Sequence, residues 1–198
     1  MPRFNYIVPG IMDELEEVRD WDFEAQAWLY RRGLGLAAGF NYAAGVLGGI
    51  LSRAKFSGLI AGDLRAADMV FAPLVAAGHS NGCPLLVEAH VNDVAVQTDA
   101  LALIAPAMDV DCEKNGLNLI AQRGQVKRIV LCVSPEDEIL GLPALSYGRL
   151  GKDGPAGACE ELKAILGIVD GHCRHCDWVG ANFAATMQVI AALDGGAT

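Results

Sequence analysis

Six short apolar runs recur along the chain, and segments with helical spacing of apolar residues separate most of them. The runs near residues 100 and 130 are apolar along their length, which is typical of strands buried on both faces of a sheet. Strands and helices in alternation predict an α/β fold, a mostly parallel sheet with helices on both faces. The predicted strands cover residues 4–8, 35–42, 74–77, 100–109, 126–137 and 164–170.

Helical spacing also predicts the elements between the strands. A helix is expected over Asp22 to Arg32, where Phe23, Ala27 and Tyr30 share one face. Further helices are expected at about residues 44–67, 84–91 and 178–193. No repeat, low-complexity tract or long linker divides the sequence, so we expect residues 1–198 to form a single domain. Residues 141–159, rich in glycine, are predicted to form an extended loop beside the site.

Composition and charge limit the partners of the chain. Hydrophobic residues make up 53% of the sequence and charged residues 20%, which excludes a disordered chain and indicates a well-filled core. The formal net charge is −9, so nucleic acids and anionic membrane surfaces would repel the protein. We therefore expect a small-molecule substrate or a protein partner, and no nucleic acid.

Cysteine usage and the first residues bear on the compartment. Six cysteines could form three disulfides in a secreted protein, but MPRFNYIVPG lacks the basic segment and long apolar core of a secretion signal. Reduced thiols and a cytoplasmic location are therefore expected.

Residues 33–51 carry no charge over a length that could span a bilayer. Asn41 and Tyr42 interrupt that segment, so we expect a buried strand and a buried helix there, and no membrane span.

The stretch Gly78-His79-Ser80-Asn81-Gly82 lies between a predicted strand and a predicted helix. Glycines two residues before and two residues after the serine suit a turn so tight that side chains there would collide with neighbouring backbone. Such a turn exposes the serine hydroxyl. A serine becomes a good nucleophile when an imidazole accepts its proton and a carboxylate orients that imidazole.

Candidates for both partners follow later predicted strands. The run that ends at Val133 is followed by three carboxylates, and the run that ends near Val169 is followed by two histidines. Asp109, at the end of the preceding strand, is a further candidate acid. The order along the chain is therefore serine, acid, histidine. The three carboxylates are Glu136, Asp137 and Glu138, and the two histidines are His172 and His175.

These motifs together resemble the α/β-hydrolases. The resemblance rests on GHSNG as the nucleophile elbow, on SPEDEIL as the acid loop and on HCDW as the histidine loop, in the family's order along nearly the whole chain. The chain is similar to the small lidless hydrolases that phages and bacteria carry, since its sequence contains no insertion long enough for a lid domain. The resemblance implies Ser80 as nucleophile, Asp137 as acid and His175 as base.

The resemblance also implies an oxyanion hole and no cofactor. The backbone N–H groups of Ile11 and Asn81 would face the developing negative charge. Many family members have His-Gly where this chain has Pro9 and Gly10, so the shape of the loop before Ile11 departs from the usual pattern. The expected activity is hydrolysis of a carboxylic ester, or of an amide or thioester, through an acyl-enzyme.

Other interpretations of the same residues stay open. A hydrolase-like binding or scaffold protein would keep the turn without a working triad, and an acyltransferase would use another acceptor than water. Cys173 and Cys176 flank His175 but lack a second ligand pair at matching spacing, so we expect no metal. His79 is expected to pack or hydrogen-bond behind the turn, and His90 to lie on a helix surface.

Overall fold

Six parallel strands form one sheet in a computed structural model of the protein, which describes residues 1–10, 21–40, 53–142 and 148–193. The strand order is β2-β1-β3-β4-β5-β6, and each neighbouring pair runs parallel. This confirms the predicted α/β fold with its parallel sheet. The strands are β1 (Phe4–Val8), β2 (Leu36–Gly39), β3 (Leu74–His79), β4 (Thr98–Ile104), β5 (Val126–Val133) and β6 (Leu166–Asp170).

Seven described α-helices accompany the strands. The four predicted helices have described counterparts in α1, α2, α3 and α7, although residues 44–52 of the second lie outside the described residues. Sequence periodicity missed α4, α5 and α6, because four to six residues are too few to display a helical period. The helices are α1 (Trp21–Arg31), α2 (Arg53–Asp68), α3 (Gly82–Asn92), α4 (Leu117–Gln122), α5 (Leu150–Asp153), α6 (Glu160–Ile165) and α7 (Phe183–Ala191).

Apolar clusters cover both faces of the sheet. Along β3, Leu74 and Ala76 belong to one cluster and Val75 and Ala77 to the other, since successive side chains of a strand point to opposite faces. The first cluster includes buried residues of α2, α3, α4 and α6, and the second includes those of α1 and α7. The prediction of helices on both faces is therefore confirmed.

The strand order reverses beside β1. The chain runs from β1 outward to β2 and then returns to β3 on the other side of β1, with Val8 opposite Gly78 in the parallel register. Helix α1, after β1, packs in the second cluster, and α2, after β2, packs in the first. At such a point two loops diverge at the carboxyl ends of the strands and leave a crevice in which open α/β sheets bind ligands.

Two predicted segments differ from the structure. Strand β2 is the edge strand of the sheet, and its residues are half-buried or exposed. The prediction of a buried strand in residues 33–51 is therefore wrong. The start of the helix predicted after that strand falls in residues 41–51, which lie outside the described residues. Of the helices described, none has the length and apolar character needed to cross a bilayer. The predicted extended loop at residues 141–159 contains α5, and residues 143–147 lie outside the described part.

The expectation that His90 lies on a helix surface is wrong. Helix α3 is buried over most of its circumference between the sheet and α2, and the His90 ring is fully buried. Its Nδ1 lies 2.8 Å from the Leu86 carbonyl oxygen and its Nε2 lies 3.2 Å from Thr98 Oγ1. Burial lowers the pKa of His90 to about 4, because the charged ring would lose its hydration.

Candidate active site

The serine of the Gly78–Gly82 stretch lies in a tight turn between β3 and α3. Ser80 has a φ of 52°, in the left-handed region that residues with a side chain rarely adopt. Hydrogen bonds hold it there: its N–H donates to the Ile104 carbonyl at 2.9 Å, and its own carbonyl accepts from Cys83 N at 3.2 Å. Such strain costs about 1–3 kcal/mol and persists where the surrounding structure enforces it.

The two glycines of the turn have no room for a side chain. A Cβ on Gly82 would lie 2.3 Å from the Val8 carbonyl oxygen and 2.7 Å from that of Pro9, and a Cβ on Gly78 would lie 3.0 Å from Cys83 N. The collision predicted from the sequence is therefore observed at Gly82 as an overlap with backbone. Because the overlapping atoms belong to the end of β1, the turn lies against the crevice where the strand order reverses.

Asp137 lies in the loop that follows β5 and is fully buried. Its own loop fixes the carboxylate, since Oδ1 accepts a hydrogen bond from Leu140 N at 2.9 Å and the Asp137 N–H donates to the Ser134 carbonyl at 3.1 Å. Lys152 of α5 donates from Nζ to the carbonyls of Pro135 and Asp137, at 2.7 and 2.8 Å. One oxygen, Oδ2, is left to face a partner from another loop.

That partner is His175, the first residue of a 3-10 helix (His175–Trp178) that follows β6. Its Nδ1 lies 2.7 Å from Asp137 Oδ2, and both side chains are fully buried. A carboxylate accepts hydrogen bonds, so Nδ1 carries the proton and donates it, which leaves Nε2 as the basic nitrogen. Nε2 is buried and has no hydrogen-bond partner among the described residues, Ser80 included.

His79 links the serine turn to the histidine loop. Its Nε2 lies 3.3 Å from the His175 carbonyl oxygen, and the centroids of the two rings are 5.0 Å apart. The His79 ring is fully buried and meets Trp21 edge to face, with centroids 6.1 Å apart. This agrees with the expected packing behind the turn. It also brings His175 next to the residue that precedes Ser80.

The alternative acids and the alternative histidine lie elsewhere. His172 is exposed and its Nδ1 lies 3.2 Å from Glu136 Oε1, also exposed. Glu138 is exposed too, and exposed Asp109 accepts a hydrogen bond from Asp111 N in its own loop. Of the candidate acids, Asp137 is the one that is buried and contacts a histidine.

The expected oxyanion donors are described only in part. Asn81 directly precedes α3, and its backbone N–H donates to no acceptor within the described ranges. The N-terminus of this helix carries partial positive charge, which favours a developing anion. Ile11 lies outside the described residues.

No group of three or more metal-binding side chains occurs in the part of the chain that the structure describes.

A cleft of about 570 Å³ has other residues in its wall, the exposed candidate acid Asp109 among them. It is formed by the start of α2, the end of α3 and the loop before α4, with Arg53, Glu88 and Lys114 in its wall. Neither the serine turn nor the buried carboxylate–histidine pair contributes to that wall. The candidate site is therefore identified by the contacts of its polar side chains and not by this cleft.

Solved structures resemble the chain over almost its whole length. A metagenome-derived lipolytic enzyme, from a study of LipS and LipT, gives a TM-score of 0.63 at 12% identity and covers 98% of this chain and 93% of that one. The esterase of Pyrobaculum calidifontis gives 0.58 at 11% identity, covering 98% and 76%. A protein of Xanthomonas campestris pv. campestris, provisionally assigned as a hydrolase of the α/β superfamily, gives 0.54 at 19% identity and covers 96% of each chain.

The chain has the α/β-hydrolase fold. Neither the protein-family models nor the curated proteins contain a match to the sequence. In the α/β-hydrolase fold the nucleophile lies on a sharp turn from a strand to a helix, and the acid and the histidine follow it in that order along the chain. Ser80, Asp137 and His175 have this order and lie at these positions relative to β3, β5 and β6.

Sequence reasoning passed over two side chains that support this arrangement. Ser134 is the first polar residue after β5, and its hydroxyl contacts the main chain of the histidine loop. The position of Ser134 at the end of an apolar run could have indicated it. Lys152 carried no such signal, because its contacts with the acid loop come from a short helix that periodicity does not predict.

Proposed function

We propose that the protein is a serine hydrolase that cleaves a carboxylic ester of a small molecule through an acyl-enzyme. The observation that carries this proposal is the fully buried pair of Asp137 Oδ2 and His175 Nδ1, which lie 2.7 Å apart, with the His175 ring packed against His79, the residue that precedes Ser80 in its strained turn. Burying a carboxylate and an imidazole is unfavourable unless they are paired, and this pairing leaves one imidazole nitrogen without a hydrogen-bond partner among the described residues. The neighbouring esterases and lipolytic enzymes of the same fold add support.

The proposed reaction has two halves. In the first, Ser80 Oγ attacks the ester carbonyl carbon while His175 Nε2 takes the hydroxyl proton, and the tetrahedral intermediate then expels the alcohol as Nε2 returns that proton to it. In the second, water attacks the acyl-enzyme, giving its proton to Nε2, which passes it to Ser80 as the acid is released. Asp137 stabilises the imidazolium and holds its tautomer throughout.

Two backbone amides are proposed to hold the negative oxygen of the intermediate. The Asn81 N–H lies next to Ser80 at the start of α3, where it lacks an acceptor in the described chain. Ile11 is proposed as the second donor, because the residues before it, Pro9 and Gly10, follow β1 at the same crevice. Each donor of this kind contributes roughly 3–4 kcal/mol to transition-state stabilisation.

The unpartnered Nε2 is compatible with this role. Catalytic hydrogen bonds of a free enzyme are often long or poorly aligned and tighten when substrate binds. Ser80 and His175 have no hydrogen bond to each other in the free protein, so we propose that substrate binding or a small side-chain rotation completes the contact. A binding or scaffold protein with the same fold would not complete it.

Further proposals follow from the same interpretation. Residues 1–198 are proposed to act as one domain that needs no cofactor for this chemistry. A cytoplasmic location is proposed because none of the six cysteines, all of them in the described part of the chain, forms a disulfide bond, as expected in a reducing compartment. The substrate is proposed to be a small neutral ester, because the formal net charge of −9 disfavours anionic partners.

Labelling with a fluorophosphonate probe tests the proposal. The unchanged protein should be labelled at Ser80, and both Ser80→Ala and His175→Ala should abolish labelling. His172→Ala, which changes an exposed histidine, is the matched control and should be labelled like the unchanged protein. Peptide mass analysis identifies the labelled residue.

The other outcomes separate the alternatives. A folded protein that is not labelled at Ser80 would contradict the proposal and favour a binding or scaffold role. Labelling followed by transfer of an acyl group to added alcohols or amines, in preference to water, would favour an acyltransferase. Hydrolysis of chromogenic esters that depends on Ser80 and on His175 would support the ester hydrolase.

A further inference from the structure

Ser134 occupies a junction between two loops of the candidate site. It directly follows β5, and its side chain is fully buried. Its hydroxyl donates to the Cys173 carbonyl oxygen at 2.7 Å and accepts hydrogen bonds from Cys173 N at 3.2 Å and Glu136 N at 3.3 Å. A single hydroxyl therefore holds both main-chain polar groups of Cys173 and one amide of the acid loop.

The two loops joined by this hydroxyl carry the acid and the histidine. Asp137 is three residues after Ser134, and His175 is two residues after Cys173. Among the described residues, the other hydrogen bonds between the loops are that of Asp137 with His175, a backbone hydrogen bond from Gly171 N to Val133 O at 2.7 Å, and the exposed contact of His172 with Glu136. Within the buried part of the described junction, Ser134 and Asp137 thus provide the side-chain links.

The main chain around Ser134 is held without its hydroxyl. The Ser134 N–H donates to the Gly151 carbonyl at 2.7 Å, and the Ser134 carbonyl accepts from Asp137 N. Removal of the hydroxyl therefore leaves the acid loop anchored to α5 and removes one of the two buried side-chain links that hold the histidine loop against it. The effect of such a change should be on the separation of the two loops and not on the fold of either.

We propose that Ser134 is a positioning residue, whose hydroxyl fixes the loop of His175 against the loop of Asp137. This inference rests on the proposed function for its catalytic consequence. The imidazole has to keep one nitrogen on the carboxylate and aim the other at the serine, and an error of about 1 Å in such an arrangement costs about 100-fold in rate. The carboxylate is fixed by its own loop, so the remaining freedom belongs to the histidine loop.

Kinetics of Ser134→Ala test the proposal. We expect kcat to fall by about 10- to 100-fold with KM nearly unchanged, since the hydroxyl orients a catalytic group and does not touch substrate. The matched control is Ser57→Ala in α2, which also removes a buried serine hydroxyl bonded to a main-chain carbonyl, and which should leave kcat unchanged. Ser134→Thr keeps the hydroxyl and should recover most of the turnover lost in Ser134→Ala.

A second readout is independent of turnover. A buried imidazole N–H donated to a carboxylate gives a low-field proton resonance in NMR, and His175→Ala assigns it. Ser134→Ala should shift or broaden this resonance, whereas Ser57→Ala should leave it in place. If the unchanged protein neither hydrolyses esters nor is labelled, but the resonance moves in Ser134→Ala, the proposed function fails while the positioning inference stands.

Two results would overturn the inference. One is a Ser134→Ala variant whose kcat matches that of Ser57→Ala within about twofold in an active protein. The other is a low-field resonance that is the same with and without the Ser134 hydroxyl. If Ser134→Ala does not fold, Ser134→Cys supplies a weaker hydrogen-bonding group of similar volume, and it should give the same changes at smaller amplitude; an unchanged kcat and resonance there would overturn the inference equally.

Discussion

The serine turn and the carboxylate–histidine pair are built in opposite ways. The residues that admit the turn at Ser80, Gly78 and Gly82, lie within two positions of it, although the Ile104 carbonyl of the neighbouring strand also holds Ser80 by a hydrogen bond. Asp137 and His175 are 38 residues apart, and neither local segment contains a reason for a distance of 2.7 Å between them. The turn can be recognised in a short stretch of sequence, whereas the pair forms only when two distant loops meet at the edge of the sheet.

This difference determines how each region responds to change. The turn is sensitive to volume, because a Cβ at either glycine would come too close to backbone atoms. The pair is sensitive to charge and to loop position, because two buried polar groups depend on each other for hydrogen bonding. A substitution that changes side-chain volume but not charge should therefore affect the turn, and one that changes charge but not volume should affect the pair.

The largest effect on activity is expected from Asp137→Asn. In the proposed mechanism the change removes the charge that stabilises the imidazolium and allows the wrong tautomer. Turnover of a chromogenic ester should therefore fall by about 10⁴-fold, as it does when the orienting carboxylate of a serine protease triad is neutralised. Asp109→Asn, at an exposed acid of the neighbouring loop, is the control and should be nearly fully active. A loss below about tenfold in Asp137→Asn would mean that the pair does not orient the base.

Gly82→Ala tests the turn by volume alone. The added methyl group would lie 2.3 Å from the Val8 carbonyl oxygen, so we expect the free energy of unfolding to fall by about 3 kcal/mol. Gly58→Ala in α2 is the control, because nothing lies within 4 Å of its Cβ position, and it should raise stability by about 0.5–1 kcal/mol. Urea unfolding of both variants measures the contrast. Equal stabilities would show that β1 yields to the methyl group.

His90 is a buried histidine with neutral hydrogen-bond partners, in contrast to His175, which contacts a carboxylate. His90→Gln tests the effect of this difference on stability. The pKa of His90 in the folded state, about 4, lies below its unfolded value of about 6.5, so the unfolded chain binds a proton that the folded chain does not. Its contribution to stability is present above about pH 6.5 and is lost as the pH falls towards about 4. Between about pH 7 and about pH 5 the unchanged protein should lose about 2 kcal/mol more stability than His90→Gln.

Urea unfolding at the two pH values checks this expectation. Histidines common to both proteins contribute equally, so the difference between the two losses isolates His90. An identical loss in the two proteins would indicate that His90 is protonated in the folded state.

The smallest effect is expected from His172→Gln. This histidine is exposed and contacts exposed Glu136, a type of pair that contributes little to stability in water. Turnover should stay within about twofold of the unchanged protein, in contrast to the loss in His175→Ala. A large loss of turnover in His172→Gln would indicate that His172 is the base, the alternative that the sequence left open.

Sequence patterns predicted much of the fold, for reasons that particular elements illustrate. Strands β3, β4 and β5 each contain a continuous apolar run, at residues 74–77, 100–104 and 129–133, and burial on both faces leaves such runs few alternatives to a central strand. Periodicity did not predict α4 or α6, which consist of six residues each and are stabilised by packing. The surface assignment of His90 failed because α3 lies between the sheet and another helix, which its own sequence does not reveal.

The sequence by itself determined the alternation of strands and helices and the tight turn at Ser80, because both depend on side-chain volume and polarity over a few consecutive residues. Only the tertiary structure decided which acid meets which histidine. Asp137 and His175 were each one of several polar residues after a strand. They share their ionisable groups, a carboxylate and an imidazole, with Glu136 and His172, and burial distinguishes the two pairs. Burial and contact between distant loops depend on the packing of the whole sheet edge, where Ser134 and Lys152 also act.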